Sequence, residues 1–285
     1  MKYAYVTTVC DIYFKGFLMT FNSILMSHKD FNHDLIIFEC DNLSDQNKKT
    51  IQKLYNNVYF KKINKESYRN DVFDKSVRDW KEFKPTYRFD IFTLKEYKKI
   101  LYFDCDIIFE IDMNHLLSDD NIKFGVSQMV SYSEYYQTKS NKIFNAGVMI
   151  IDNTFLGDNI KKDLIDLSKA PPPKNSKFED KNWVGNQPIL NNYFENKINW
   201  IDEKYNLTID RLYKKIFIEK NNYHLIGSKK IWSDGDLYSR FDRHVINTIK
   251  QNQKNNEVNC IIILKKMLEK YEIIKLNLLE KDIII

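Results

Sequence analysis

Ile100-Leu101-Tyr102-Phe103-Asp104-Cys105-Asp106-Ile107-Ile108-Phe109 sets two carboxylates two residues apart at the end of an apolar run. Continuous apolar residues ahead of Asp104 read as a strand buried on both faces, the kind found in parallel sheets. In a regular strand, residues two apart point to one face, so Asp104 and Asp106 are expected side by side. Keeping two like charges together beside an apolar core is costly unless something positive neutralises them. A hard divalent cation is the economical reading, and a pair of solvated loop carboxylates is the plain alternative.

Outward from this stretch, strand and helix patterns alternate. Tyr3 to Val9 reads as a strand, followed by a short loop with Asp11, Tyr13 and Gly16 and a helix through Phe17, Phe21, Ile24 and Leu25. Leu35 to Cys40 is a second strand, Ser44-Asp45 caps a helix running through Ile51 and Leu54, and Val58 to Ile63 is a third strand. Tyr87 to Tyr97 reads as a helix and Phe144 to Asp152 as another buried strand. This alternation predicts an α/β fold with a mostly parallel central sheet and helices on both faces. Pro171-Pro172-Pro173 marks a loop within the domain. From about residue 245 the chain turns polar, and then Ile262, Leu264, Leu268, Ile273, Leu276 and Leu279 alternate with Lys and Glu. That pattern predicts an amphipathic helix, or a pair, packed on the main domain. The expected organisation is a single domain over residues 1–244 with a helical C-terminal extension over 245–285.

Composition narrows the function classes. With 285 residues, 43% hydrophobic and 29% charged, the chain can bury a core, which excludes a disordered or fibrous protein. The net charge of +5 is dispersed in mixed-sign runs such as Lys61, Lys62, Lys65 and Glu66, so no nucleic-acid footprint is present. Cys10, Cys40, Cys105 and Cys260 are widely separated, as expected of reduced buried thiols. The N-terminus lacks the apolar stretch of a signal peptide, and no 18-residue uncharged run suits a membrane span. These features point to the cytoplasm.

Three further stretches carry polar groups suited to the acidic pair: Asn145-Ala146-Gly147, Asn186-Gln187-Pro188-Ile189-Leu190-Asn191, and His224 to Trp232. Taken singly, each reads as ordinary structure. Together they offer a neutral imidazole at His224, backbone N–H groups freed by Gly227 and an ammonium at Lys230, the components that bind a metal-chelated diphosphate.

In identity and order these residues resemble the retaining glycosyltransferases of family 8, which have the GT-A fold, and the glycogenin branch more than the bacterial galactosyltransferase branch. The resemblance runs over roughly residues 3 to 235. It rests on Thr7-Thr8 with Asp11-x-Tyr13-x-Lys15-Gly16, Arg88, Asp104-x-Asp106, Phe144-Asn145-Ala146-Gly147-Val148, Asn186-Gln187-x-Ile189-Leu190-Asn191, Tyr205-Asn206-Leu207 and His224-x-x-Gly227-x-x-Lys230-x-Trp232. It implies that Asp104, Asp106 and His224 bind Mn2+, or Mg2+, with Asp104 also near the ribose of a UDP-sugar. Tyr13 and Thr8 would lie by the uracil, and Arg88, Gly227 and Lys230 by the diphosphate. Asn145, Ala146, Gly147 and Gln187 would surround the sugar. Catalytic positions under this resemblance are Gln187, Asn186 and Asp106.

One position departs from the family pattern. Asn186 stands where the family has Asp before the Gln, and an amide cannot act as base or nucleophile. Asp180 or Glu179 could substitute, the reaction could lean on Gln187 and front-face attack, or turnover could be slow. The glycogenin likeness further implies glucose as the donor sugar, a homodimer and self-glucosylation, with Tyr213 as the acceptor candidate; a glycan or protein hydroxyl is the general acceptor class. Two competing readings are a nucleotide-sugar-binding protein that has lost turnover and a phosphatase of the haloacid-dehalogenase type. The second fits poorly, because its acidic motif lies near the N-terminus.

Overall fold

The computed structural model describes residues 2–39, 43–69, 84–129, 143–171, 174, 186–208, 220–225, 231–232, 246–247 and 257–284, with backbone alone at 129 and 257–260. In chain order the strands are β1 (Tyr3–Val9), β2 (Asp34–Glu39), β3 (Val58–Lys62), β4 (Lys99–Phe103), β5 (Ile107–Ile108), β6 (Phe124–Met129), β7 (Ile143–Asp152), β8 (Asn199–Ile201), β9 (Leu207–Thr208) and β10 (Tyr223–His224). The helices are α1 (Phe14–Ser27), α2 (Asp45–Leu54), α3 (Asn114–Ser118), α4 (Asp158–Lys169), α5 (Asn186–Tyr193) and α6 (Glu257–Glu280).

Along β1, Tyr5 and Val9 join the core on one face of the sheet while Ala4 and Val6 join the core on the other. All four are fully buried, as a central strand covered on both sides requires. Helices α1, α2 and α6 supply the first face with Phe17, Phe21, Ile51, Leu264 and Met267. The second face is covered by α4, α5 and the 3₁₀ segment Pro85–Thr93, through Leu164, Ile189, Tyr87 and Phe89. The seven-stranded sheet runs β3-β2-β1-β4-β7-β6-β8. Within it, β1 pairs in parallel with both β2 and β4, whereas β7 is antiparallel to β4 and β6. The chain leaves β1 in one direction to β2 and the sheet later extends in the other to β4. Their C-terminal ends thus border a crevice of the type where open α/β sheets bind ligands.

Three sequence expectations change. Tyr87 to Tyr97 is not an α-helix: Pro85–Thr93 is 3₁₀ and the chain turns before β4. Tyr87, Phe89, Ile91, Phe92 and Thr93 are aromatic or β-branched, types with weak helix preference, and burial of consecutive residues from Phe89 to Phe92 fits the tighter winding better than a single helical stripe. The acidic pair does not lie in one strand, since β4 ends at Phe103 and residues 105–106 form a turn. The tail, as far as it is described, is one long helix, α6, packed on the domain as expected, but the face it buries is Ile263, Leu264, Met267, Tyr271, Ile274 and Leu278, while Ile262, Ile273, Leu276 and Leu279 of the expected stripe are exposed. Ser44 caps α2 as expected, accepting the Asn47 N–H at 3.3 Å. Among the described residues no helix is long and apolar enough to cross a membrane.

A buried histidine ties the end of α1 to the start of α3. His28 Nε2 accepts the Met113 N–H at 2.9 Å and Nδ1 lies 3.0 Å from the Ile24 carbonyl, an arrangement that suits the neutral ring. Burial lowers its pKa to about 4, partly opposed by Asp112 at 3.7 Å, with His33 and His115 also nearby. The folded-state value lies below the unfolded one near 6.5, so the unfolded chain binds the extra proton. Stability is therefore full above about pH 6.5 and should fall by roughly 3 kcal/mol as the pH drops to about 4. Urea denaturation across that range tests this, and His28→Gln should flatten the dependence.

Candidate functional site

At the C-terminal ends of β1 and β4 the Thr7 hydroxyl donates to the Phe103 carbonyl at 2.8 Å and holds the two strand ends together. Just beyond, the turn carries Asp104 and Asp106 outward. Antiparallel pairing of β10 with β5 sets His224 opposite Ile107, and the Leu225 N–H donates to the Asp106 carbonyl at 2.7 Å. His224 Nε2 thereby comes to 3.1 Å from Asp106 Oδ1 and 3.8 Å from Asp104 Oδ2. One donor atom from each of the three residues lies within 4.8 Å of the others. Two carboxylate oxygens and an imidazole nitrogen are ligands suited to a borderline-hard divalent cation, and the set fits such an ion.

The Asp104 carboxylate is aimed by its neighbours. Asp104 Oδ1 accepts from the Tyr102 hydroxyl at 2.7 Å and from Arg88 Nη2 at 2.5 Å, which occupies that oxygen and turns Oδ2 toward His224. Arg88 stacks over the Tyr102 ring at 4.7 Å and donates from Nη1 to the Ala146 carbonyl at 3.1 Å. Burial pushes the Tyr102 phenol well up, so it remains a donor. Tyr102 was missed in the sequence, although its position two residues before Asp104 gave the signal, because period-two spacing puts both side chains on one face.

On β7, the Gly147 carbonyl accepts the Asp104 N–H at 2.8 Å. A Cβ at Gly147 would strike the His224 ring, lying 2.7 Å from Nδ1, so glycine is what lets the imidazole pack against this strand. Gly16, at the start of α1, is equally confined by the Cys105 carbonyl and Trp232. Cys105 is buried, and its thiol is pushed up by that burial, which makes it a packing residue rather than a nucleophile.

Of the other expected residues, Thr8, Tyr13, Gln187, Asn186 and Asn145 are described. Thr8 is buried with its hydroxyl 3.5 Å from that of Tyr102. Tyr13 ends the 3₁₀ turn ahead of α1 and is half-buried, and its phenol is pushed up by burial, then by Cys10 and Asp106. Gln187 Oε1 accepts the Ala146 N–H at 3.0 Å, holding α5 against β7 by the carbonyl end of that side chain. Asn186 is buried, donating to the Pro85 carbonyl at 2.6 Å and lying 3.5 Å from Arg88 Nη1. Asn145 Oδ1 accepts from the Gly147 N–H at 2.8 Å and from Asn206 at 2.9 Å, so its oxygen faces the protein. Gly227, Lys230, Tyr213, Glu179 and Asp180 lie outside the described residues.

Comparison with known proteins agrees with this architecture. The family model Glycosyl transferase family 8 matches residues 6–236. The chain belongs to glycosyl transferase family 8. Among solved structures, this family 8 protein is similar to an active-site mutant of LgtC, at 17% identity and a TM-score of 0.63, covering 88% of this chain and 95% of that one. A galactosyltransferase LgtC complex with donor and acceptor sugar analogues gives 16% identity, a TM-score of 0.59 and the same coverage. The glycosyltransferase GlyE of Streptococcus pneumoniae gives 19% identity and a TM-score of 0.59, covering 95% of this chain and 64% of that one. At these identities the likeness establishes the fold, which is GT-A. No curated protein matches the sequence closely enough to count as a relative.

Proposed function

We propose that this family 8 glycosyltransferase moves a hexose, glucose by preference, from a UDP-sugar to a hydroxyl acceptor with retention of anomeric configuration, using Mn2+ or Mg2+. The observation that supports it most is the meeting of Asp104 Oδ2, Asp106 Oδ1 and His224 Nε2 at the mouth of the β1–β4 crevice. A divalent cation there would act as Lewis acid toward the diphosphate leaving group, so that departure needs no proton. Around that position, Arg88 and Tyr102 hold Asp104 in its aim, and Lys230 is the counter-charge expected for the phosphate. Gln187, braced by β7, is the side chain proposed to meet the sugar.

Asn186 supplies no carboxylate, and its amide is committed to Pro85. The proposal therefore places no acid or base at this position and favours attack by the acceptor on the face the diphosphate leaves. A panel of UDP-sugars with and without Mn2+, read as free sugar and UDP, is the direct test. Metal-dependent turnover highest with UDP-glucose is the expected result. Binding of UDP-sugar with no turnover on any donor or acceptor would instead make this a nucleotide-sugar-binding protein. Intact-mass analysis after incubation with UDP-glucose tests self-glucosylation, with hexose increments expected on the peptide containing Tyr213 and their absence rejecting it.

A further inference from the structure

The His224 ring is oriented by a chain of hydrogen bonds whose direction can be traced from a main-chain amide. The Gly147 N–H is an unambiguous donor, so the Asn145 side-chain atom 2.8 Å from it must be the oxygen. That same oxygen lies 2.9 Å from the Asn206 side chain, and Asn206 must therefore present its NH2 there. The Asn206 NH2 also lies 3.4 Å from the Asn145 main-chain carbonyl, a second acceptor that agrees with this orientation. It follows that Asn206 turns its Oδ1 to His224 Nδ1, 3.0 Å away, and an oxygen at that distance calls for a proton on Nδ1. Asn145, Asn206 and His224 are all buried, so water does not compete for these groups.

We infer that Asn206 is a positioning residue that holds a proton on Nδ1 of His224 and so leaves Nε2 as the ring atom that faces Asp104 and Asp106 and takes the ion. The inference rests on the proposed metal site and adds to it the device that prepares the imidazole as a ligand before the ion arrives. Histidine ligands are commonly oriented by a partner on the second ring nitrogen. Here the partner is a neutral amide, itself anchored to the backbone of β7. The Gly147 peptide thus serves two ligands, since its N–H starts the chain to His224 and its carbonyl accepts from the Asp104 N–H.

The test uses the full chain labelled with 15N-histidine, metal-free and well above the ordinary histidine titration range, together with Mn2+ titration in the presence of UDP. Wild-type His224 should carry a proton on Nδ1, whether or not Nε2 shares one with Asp106. Asn206→Leu, of similar size but unable to accept, should lose the preference for a proton on Nδ1, bind Mn2+ about 10–100-fold more weakly and melt a few degrees lower while staying folded. Asn206→Asp, which keeps an acceptor for Nδ1–H, should bind more tightly than Asn206→Leu. Activity of Asn206→Leu should recover substantially at saturating Mn2+, a shift in metal requirement rather than in turnover. A wild-type spectrum with Nδ1 unprotonated, or a folded Asn206→Leu protein with unchanged Mn2+ affinity, would overturn the inference while leaving the metal site standing. A wild-type protein that binds no Mn2+ would overturn the metal site itself. Should Asn206→Leu fail to fold, the wild-type spectrum still decides.

Discussion

Asp106→Asn should lower metal-dependent sugar transfer roughly a thousandfold, the equivalent of about 4 kcal/mol of lost charge stabilisation. The amide keeps the shape of the side chain but halves the acidic charge facing His224, which lies 3.1 Å from Asp106 Oδ1. Folding should be spared, because Asp106 joins the framework through its main-chain carbonyl, which accepts the Leu225 N–H at 2.7 Å. Turnover of UDP-sugar with and without EDTA, alongside a thermal melt, checks both halves. Undiminished turnover in the variant, or a wild-type rate indifferent to EDTA, would contradict the role assigned to this carboxylate.

The second large effect is expected from adding one methyl group. Gly147→Ala places a Cβ against the His224 ring and 2.9 Å from Asn145 Oδ1. Neither neighbour has room to retreat, since His224 is buried in β10 and Asn145 is buried with its side-chain oxygen held by the Gly147 N–H and by Asn206. The ring must tilt, which breaks its alignment with Asp106 and its bond to Asn206. Mn2+ affinity should fall by at least about 10–100-fold, and overpacking should cost about 1–3 kcal/mol of stability. Isothermal titration with Mn2+ and UDP gives the first quantity and chemical denaturation the second. A variant matching wild type in both would mean that His224 does not depend on the bare backbone at this position.

These effects place the working parts of the site in two layers. Behind the three proposed ligands, Tyr102 and Arg88 hold the Asp104 carboxylate, and Asn145, Asn206 and Gly147 hold the His224 ring. Asn186 belongs to the second layer as well. Its amide donates to Pro85, a bond that an ionised aspartate could not make, so the departure from the family pattern is accommodated by the start of the 3₁₀ segment that carries Arg88.

Local pattern alone determined much of the protein. The buried strands β1, β2, β4 and β7 follow from continuous apolar runs, the α2 cap from Ser44, and the acidic pair from its place at the end of β4. Such features depend on neighbours within a few residues, and period and propensity record them. Motif order further associated His224 with the aspartates through the family likeness, but no spacing in the chain says that they touch. Tertiary structure decided that contact, because it requires β10 to pair with β5 across a long intervening stretch. Tertiary structure likewise decided that Pro85–Thr93 winds as 3₁₀, and that Asn145 turns its oxygen to Asn206 rather than outward. The physical reason is common to all three: the energies involved come from burial and hydrogen bonds between segments distant in sequence, and these exist only once the sheet has assembled.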